Sequence, residues 1–279
     1  MYPIQVKRTL APGVRLYEIS APLVARKAQP GQFVIVRVNE TGERIPLTIA
    51  DYDRKMGTIT MVVQEIGFTT KTLAKMEVGD ALLDFIGPLG NPSELRDSGT
   101  VVCIGGGVGC APLYPQVRAL SQKGVNVITI VGARSAEHLI LTRELGRYSN
   151  QLHIATDDGS QGRKGFVTDI LKDLIEQGTP IDQVIAIGPM IMMKVVTGVT
   201  KQYNLPTMIS LNSLMVDGTG MCGSCRVTVG GVTKFACVDG PEFDAHQVDF
   251  DEQMKRAAVY RDQEAKALAR LDCGCRNGH

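Results

Sequence analysis

Short β-type runs of apolar and polar residues fill the first third of the chain. VRLYEIS, FVIVRV, GTITMVVQEI and ALLDFIG follow one another, separated by PG, NETG and GD turns. Apolar runs of this length, punctuated by Gly, Pro and Asn, predict an antiparallel barrel from Tyr2 to about Leu89. After Gly99 the rhythm changes. VVCIG, VNVITIVGA, LHIATD and VIAIG are apolar runs, and the intervals carry helical patterns such as PLYPQVRALSQKG and FVTDILKDLIEQG. Strand and helix alternating in this way predict a parallel sheet covered on both faces. The Gly-, Pro- and Ser-rich stretch GPLGNPSELRDSG marks the boundary, so the expected division is a barrel over 1–97, an α/β domain over 98–212 and a C-terminal region over 213–279. That region ends in mixed charges at helical spacing from Asp249 to Arg270, a pattern that suits a solvated helix or a docking element.

Composition narrows the class without choosing a chemistry. With 279 residues, 44% hydrophobic and 21% charged, the chain has room for two ordinary cores. A net charge of +1 gives no electrostatic case for nucleic acid or a membrane surface. The longest nearly apolar stretch, Val184 to Val199, is broken by Gly188, Pro189 and Lys194 and is too short to span a bilayer. The start, MYPIQVKRTL, has no signal-peptide core, and seven cysteines form no secreted disulfide framework. A cytoplasmic location is expected.

The chemistry concentrates in DGTGMCGSCRVTVGGVTKFAC, which sets Cys222, Cys225 and Cys237 at C-x2-C-x11-C with Asp217 five residues ahead of the first thiol. Plant-type [2Fe–2S] sites follow C-x4-C-x2-C and a distant fourth Cys. Asp217 stands at the first position of that pattern, and Gly218, Gly220 and Gly223 supply the backbone freedom needed to wrap an inorganic core. A zinc knuckle of three thiolates and a carboxylate is the competing reading. Asp217 also suits a plain turn, in which case the fourth donor comes from Cys273, Cys275, Cys103 or Cys110.

Three further signals bear on nucleotides. VVCIGGGVGCAP places Gly105, Gly106, Gly107 and Gly109 between a strand and a helix, where amides and a helix N-terminus receive a pyrophosphate. Cys110 occupies the third position of G-x-G-x-x-G, so the match is loose. A second such turn, AIGPM, carries Gly188, Pro189 and Met190, while Met192 and Met193 read as core. In the barrel, RIPLTIAD sets Arg44 and Thr48 around a proline, and GFTTKTL offers Thr69 and Thr70 at a helix start after Gly67. A guanidinium beside a helix N-terminus suits a flavin pyrophosphate; a solvated charge and an N-cap are the ordinary readings.

Taken in order, PGQFV, RIPLT, G-x-x-T, GPLGN, GGGVGCAP and GPM resemble the ferredoxin–NADP reductase superfamily. The cluster loop is similar to the branch containing dihydroorotate dehydrogenase electron-transfer subunits. It resembles above all the small subunits of NADH-dependent reduced ferredoxin:NADP oxidoreductases, also described as sulfide dehydrogenase subunits, where aspartate replaces the first thiolate. The fold implied is a β barrel plus α/β: an antiparallel FAD-binding barrel, a parallel-sheet nucleotide-binding domain and a C-terminal [2Fe–2S] loop. The resemblance implies FAD along Arg44, Pro46, Leu47 and Thr48, its edge by Val63, Gln64 and Glu65, and its phosphates at Gly67, Thr69 and Thr70. Leu47 departs from the flavin-stacking tyrosine of many plant-type reductases. Asp157 and Asp158, where NADP-dependent relatives commonly present Ser and Arg, would repel a 2′-phosphate and accept from ribose hydroxyls, which favours NAD(H); Arg134 is the opposing feature. The resemblance also implies hydride exchange between NAD(H) and flavin and a one-electron cluster relay. The implied partner is a large flavoprotein subunit with its own FAD and [4Fe–4S] clusters, and ferredoxin is reached through it in electron bifurcation. Electron transfer for dihydroorotate oxidation, sulfide dehydrogenase activity and a non-redox zinc module remain alternatives.

Overall fold

The computed structural model describes residues 1–272. Eight strands form the N-terminal barrel: β1 (Tyr2–Ala11), β2 (Val14–Ser20), β3 (Phe33–Arg37), β4 (Arg44–Thr48), β5 (Asp51–Asp53), β6 (Thr58–Gln64), β7 (Ala81–Leu82) and β8 (Asp84–Leu89). They pair antiparallel in two sheets, β5-β6-β2-β1-β7 and β4-β3-β8. Ile4, Tyr17, Ile19, Val34, Val36, Ile59, Met61 and Phe85, drawn from both sheets, share one core. Where burial alternates, as from Thr58 to Met61 of β6, it fixes the register, since a one-residue slip would turn the apolar set to water; β3 is instead buried continuously from Phe33 to Val36. Helix α1 (Pro22–Lys27), with proline in its first turn, follows β2, and α2 (Phe68–Ala74) follows β6.

The second domain is a seven-stranded sheet in the order β12-β11-β10-β9-β13-β14-β17. Its strands are β9 (Thr100–Gly106), β10 (Asn126–Ala133), β11 (Gln151–Thr156), β12 (Arg163–Lys164), β13 (Gln183–Ile187), β14 (Thr207–Ser210) and, after the β15 (Arg226–Val229) and β16 (Val232–Phe235) hairpin, β17 (Glu242–Asp244). Helices α3 (Cys110–Gln122) and α4 (Thr142–Tyr148) cover one face, and α5 (Val167–Glu176) and α6 (Met190–Gln202) the other. Every residue of β9 is buried or nearly so, as a strand covered on both sides requires.

The C-terminal region does not stand apart. β17 adds an antiparallel edge to the otherwise parallel sheet by pairing with β14, so the segment after the cluster loop returns to the nucleotide domain. The charged tail forms two helices, α7 (Phe250–Ala257) and α8 (Arg261–Asp272), and α8 lies against α2 of the barrel. Apolar packing also joins the two large domains. Ala11, Val14, Leu16, Ala50 and Val62 of the barrel pack with the α3 face of the sheet, while Phe33 and Ile35 pack with Cys225, Val227 and Cys237.

Candidate functional site

The cluster loop is built around Asp217. Its carboxylate accepts from the amides of Thr219 (3.0 Å), Met221 (3.1 Å) and Cys222 (2.9 Å), and the Cys222 thiol lies 3.4 Å from its Oδ1. The Thr219 amide above all, and then that of Cys222, hold this carboxyl below the usual range. Asp217 thus caps the turn and stands beside a thiol at once. On the other side of the loop Cys225 and Cys237 are buried, their sulfurs 3.3 Å apart. Burial, and then the hydrogen bond with Cys225, push the Cys237 thiol up to about 12. A Cβ on Gly218 would lie 2.8 Å from Leu89 and 2.9 Å from Ile35, so the loop rests directly on β8 and β3.

The candidate donors therefore come as two pairs, Asp217 with Cys222 and Cys225 with Cys237. Among the described residues no three His, Cys, Asp or Glu side chains gather closely enough to hold one metal ion. A tetrahedral zinc knuckle needs four donors around one centre. A two-iron core takes two donors on each iron, and two separate pairs fit it. Cys103 and Cys110 lie elsewhere, in the core of the nucleotide domain, where burial raises both thiols, that of Cys110 to about 12. Cys273 and Cys275 lie outside the described residues.

The nucleotide crevice opens where the strand order reverses. β9 and β13 are parallel neighbours, and the chain leaves β9 toward β10 but leaves β13 toward β14, the arrangement that exposes a ligand crevice at the carboxyl ends of the strands. The glycines there have distinct tasks. A Cβ on Gly109 would fall 2.2 Å from the Ile187 carbonyl oxygen, and one on Gly106 would fall 2.4 Å from the Met192 sulfur, so these two jam the β9 and β13 turns together. Gly105 is closed by Cys110 and Leu113, and Gly188 by Met192 and Gly106. Gly107, at φ +54°, has open space where its Cβ would be. Pro189 caps α6 and Met190 opens it. Asp158 is spent on its own turn: it accepts from the Ser160 amide (2.9 Å) and hydroxyl (2.6 Å), which lower its pKa, the hydroxyl first. Asp157 is exposed and donates its amide to Ala133, leaving its carboxylate as the freer of the two.

In the barrel, Arg44 is held 3.5 Å from Asp84, and Pro46, Leu47 and Thr48 continue along β4, each partly buried. Val63 is buried and Gln64 exposed at the end of β6, and Glu65 pairs with Arg15 at 2.6 Å. The Thr70 hydroxyl accepts from the amides of Gly67 (2.9 Å) and Ile66 (3.2 Å), and that of Thr69 donates to Glu43 (3.3 Å). Thr70 is thus engaged as a cap. The first amides of α2 lack intrahelical acceptors by helix geometry, and at Gly67 the nearest atom to a would-be Cβ is 3.9 Å away, a cradle that fits a pyrophosphate. The Gly107–Gly109 turn packs on β6, which brings the barrel residues and the nucleotide crevice to one junction.

Two long-range contacts fix that junction, and no local spacing signalled either. Arg118 of α3 reaches Asp51 of β5 at 2.6 Å and lies over the rings of Tyr52 and Tyr114. Glu242 of β17 accepts from Ser93 of the linker (2.8 Å) and from fully buried Gln116 of α3 (2.6 Å). Burial pushes the Glu242 carboxyl up to about 7, against the two hydrogen bonds that lower it. A carboxyl whose folded pKa is raised binds protons more tightly in the native state, so stability is full below about pH 4.5 and falls as pH rises to about 7. The loss is on the order of 3 kcal/mol at most. Glu242→Gln keeps both partners and is expected to flatten this slope in denaturant titrations between pH 5 and 8; an unchanged slope would exclude Glu242 as its source.

Residues 212–249 match the iron–sulfur cluster binding domain of dihydroorotate dehydrogenase B, and residues 103–198 match the oxidoreductase NAD-binding domain. The chain is 50% identical to a dihydroorotate dehydrogenase B (NAD(+)) electron transfer subunit homolog from Thermotoga maritima, over 95% of this chain and 93% of the relative. It is 48% identical, over 99% of both chains, to an uncharacterized protein in the adh 3′ region of Clostridium beijerinckii. A solved structure of NADH-dependent reduced ferredoxin-NADP oxidoreductase, described for flavin-based electron bifurcation, superposes with a TM-score of 0.92 at 47% identity, covering 97% of this chain and 98% of the other. No helix among the described residues is long and apolar enough to cross a membrane. The chain belongs to the dihydroorotate dehydrogenase B electron-transfer-subunit family, as an oxidoreductase subunit of the ferredoxin-reductase fold for FAD, NAD(H) and a [2Fe–2S] cluster.

Proposed function

We propose that this protein is the small subunit of a cytoplasmic, heteromeric NADH-dependent reduced ferredoxin:NADP oxidoreductase that works by flavin-based electron bifurcation. Its partner in this reading is a large flavoprotein subunit with FAD and [4Fe–4S] clusters, through which ferredoxin is reached. The observation that carries the choice within the family is Asp217 in the first donor position, paired with Cys222 where a fourth thiolate is expected for dihydroorotate oxidation. The full-length likeness to the bifurcating oxidoreductase supports the same choice.

The three regions divide the work as 1–97 for FAD, 98–212 for NAD(H) and 213–279 for the cluster. Bound FAD would exchange a hydride with the nicotinamide and pass electrons singly to the cluster. Arg44 and the first turn of α2 would hold the flavin phosphates, with Gly67 leaving room for them and Thr69 and Thr70 shaping the turn. Pro46, Leu47 and Thr48 would line the ring on one strand, with Val63, Gln64 and Glu65 along its edge. Gly105, Gly106 and Gly109 bring the two turns of the crevice together, and Gly107 would present its amide to the dinucleotide. Gly188, Pro189 and Met190 form the opposite wall. Asp157 would accept from a ribose hydroxyl and repel a 2′-phosphate, while Asp158 shapes the loop. The Arg118–Asp51 pair and the shared apolar core keep barrel and sheet in fixed relation, which hydride transfer over a near-contact distance demands.

The test is purification from the native source with the co-purifying chain, followed by assay with NADPH, ferredoxin and NAD⁺ together. NADPH oxidation is expected only when both acceptors are present. Oxidation that proceeds without ferredoxin would sink bifurcation. The Thermotoga maritima relative favours a second reading, electron transfer from dihydroorotate to NAD⁺; turnover of dihydroorotate by the purified complex would establish it instead.

A further inference from the structure

The two residues between the first pair of thiols are Gly223 and Ser224, and each offers its carbonyl oxygen to a different arginine. Arg226 Nη1 donates to Gly223 O at 2.9 Å, and Arg256 Nη2 donates to Ser224 O at 3.0 Å. Arg226 begins β15, next to Cys225. Arg256 comes from the last turn of α7, thirty-two positions from the carbonyl it binds. Its reach is fixed by α7 itself, because buried Gln253 donates to the Arg226 carbonyl (2.7 Å) and accepts from Ser213 (3.4 Å). Among the described residues neither guanidinium is paired with a carboxylate.

We propose that Arg226 and Arg256 brace the Cys222–Cys225 loop and set the reduction potential of the cluster it holds, with Arg256 the stronger of the two. This rests on the reading of the loop as a [2Fe–2S] site. Two physical effects act in the same direction. A planar peptide whose oxygen is drawn toward a guanidinium turns the following N–H the opposite way. Arg226 at the Gly223 oxygen and Arg256 at the Ser224 oxygen accordingly fix the directions of the Ser224 and Cys225 amides within the donor loop. Charge is the second effect. One electron entering the cluster adds one negative charge, and an uncompensated cation nearby favours that reduced state. Arg256 is partly buried and Arg226 exposed, so water and salt screen Arg226 far more.

The experiment measures the cluster midpoint by EPR-monitored titration of the full chain carrying FAD and cluster, after iron and acid-labile sulfide have been quantified. Arg256→Gln is expected to disfavour reduction about tenfold, a negative shift of about 59 mV for one electron. Arg256→Lys, which keeps the charge, is expected to restore most of it. Arg226→Gln is expected to cost about threefold at low ionic strength and almost nothing in high salt. A midpoint that is unmoved in Arg256→Gln at full iron content would overturn the proposal. Loss of iron from both Arg256 variants would make the brace purely structural and overturn it equally. A wild-type chain without iron and sulfide, reconstituted or native, would instead remove the cluster reading on which it stands.

Discussion

Cys225→Ser is expected to lose nearly all bound iron and acid-labile sulfide while keeping the fold. The thiol is buried, its sulfur sits 3.3 Å from Cys237 and receives the Cys237 amide at 3.4 Å, and its carbonyl accepts from Ala236 at 3.1 Å. Those contacts place the sulfur rather than hold the chain, because the β15–β16 ladder runs from Arg226↔Phe235 to Val229↔Val232 without it. Serine supplies a harder oxygen donor on a shorter bond to a site that selects soft thiolate. Cys103→Ser is the matched control. It buries a hydroxyl in the apolar core of the nucleotide domain and is expected to cost about 1–3 kcal/mol of stability with iron unchanged. Elemental analysis and denaturant melts read both outcomes. Full iron retention in Cys225→Ser would remove Cys225 from the donor set.

Gly109→Ala is expected to weaken NADH binding at least tenfold and to destabilise the chain by about 3 kcal/mol. The new Cβ would stand 2.2 Å from the Ile187 oxygen, 2.6 Å from its carbonyl carbon and 2.7 Å from the Gly188 Cα. All three are backbone atoms, so no side chain can swing aside and the β9 and β13 turns must part. Gly107→Ala gives the contrast. Its Cβ meets open space, and the strain of a positive φ costs about 1–2 kcal/mol. It too should weaken NADH binding, by intruding on the dinucleotide, but with a smaller loss of stability. Calorimetric NADH titration paired with thermal melts separates the two. Equal melting temperatures for wild type and Gly109→Ala would mean the turns are not jammed as described.

The strands and the local chemistry were legible because their causes are local. VRLYEIS is β2 residue for residue, and the apolar runs VVCIG and VIAIG became the two central strands of the parallel sheet. The candidate cluster donors could be singled out for the same reason, since Asp217, Cys222 and Cys225 share one loop and loop spacing constrains where donors can stand. Where the expectation was looser, distance in sequence was the cause. Met192 read as core and packs against it, but its sulfur also lies on the turn glycines Gly106 and Gly188, because the switch point sets two turns side by side that the chain separates by some eighty residues. The helical spacing of the tail was visible, but not its division into α7 and α8 or the return of α8 to α2.

By itself, then, the amino-acid order determined which segments are strands and marked the glycine turns and the candidate iron donors, because each follows from periodicity or from atoms a few residues apart. Only the tertiary structure decided that the candidate donors stand as two pairs, that β17 joins the nucleotide sheet, that Glu242 meets Ser93 and Gln116, and that Arg256 reaches the Ser224 carbonyl. Those contacts join elements brought together by burial of a shared core, and a pairing made by packing leaves no spacing for a sequence to show.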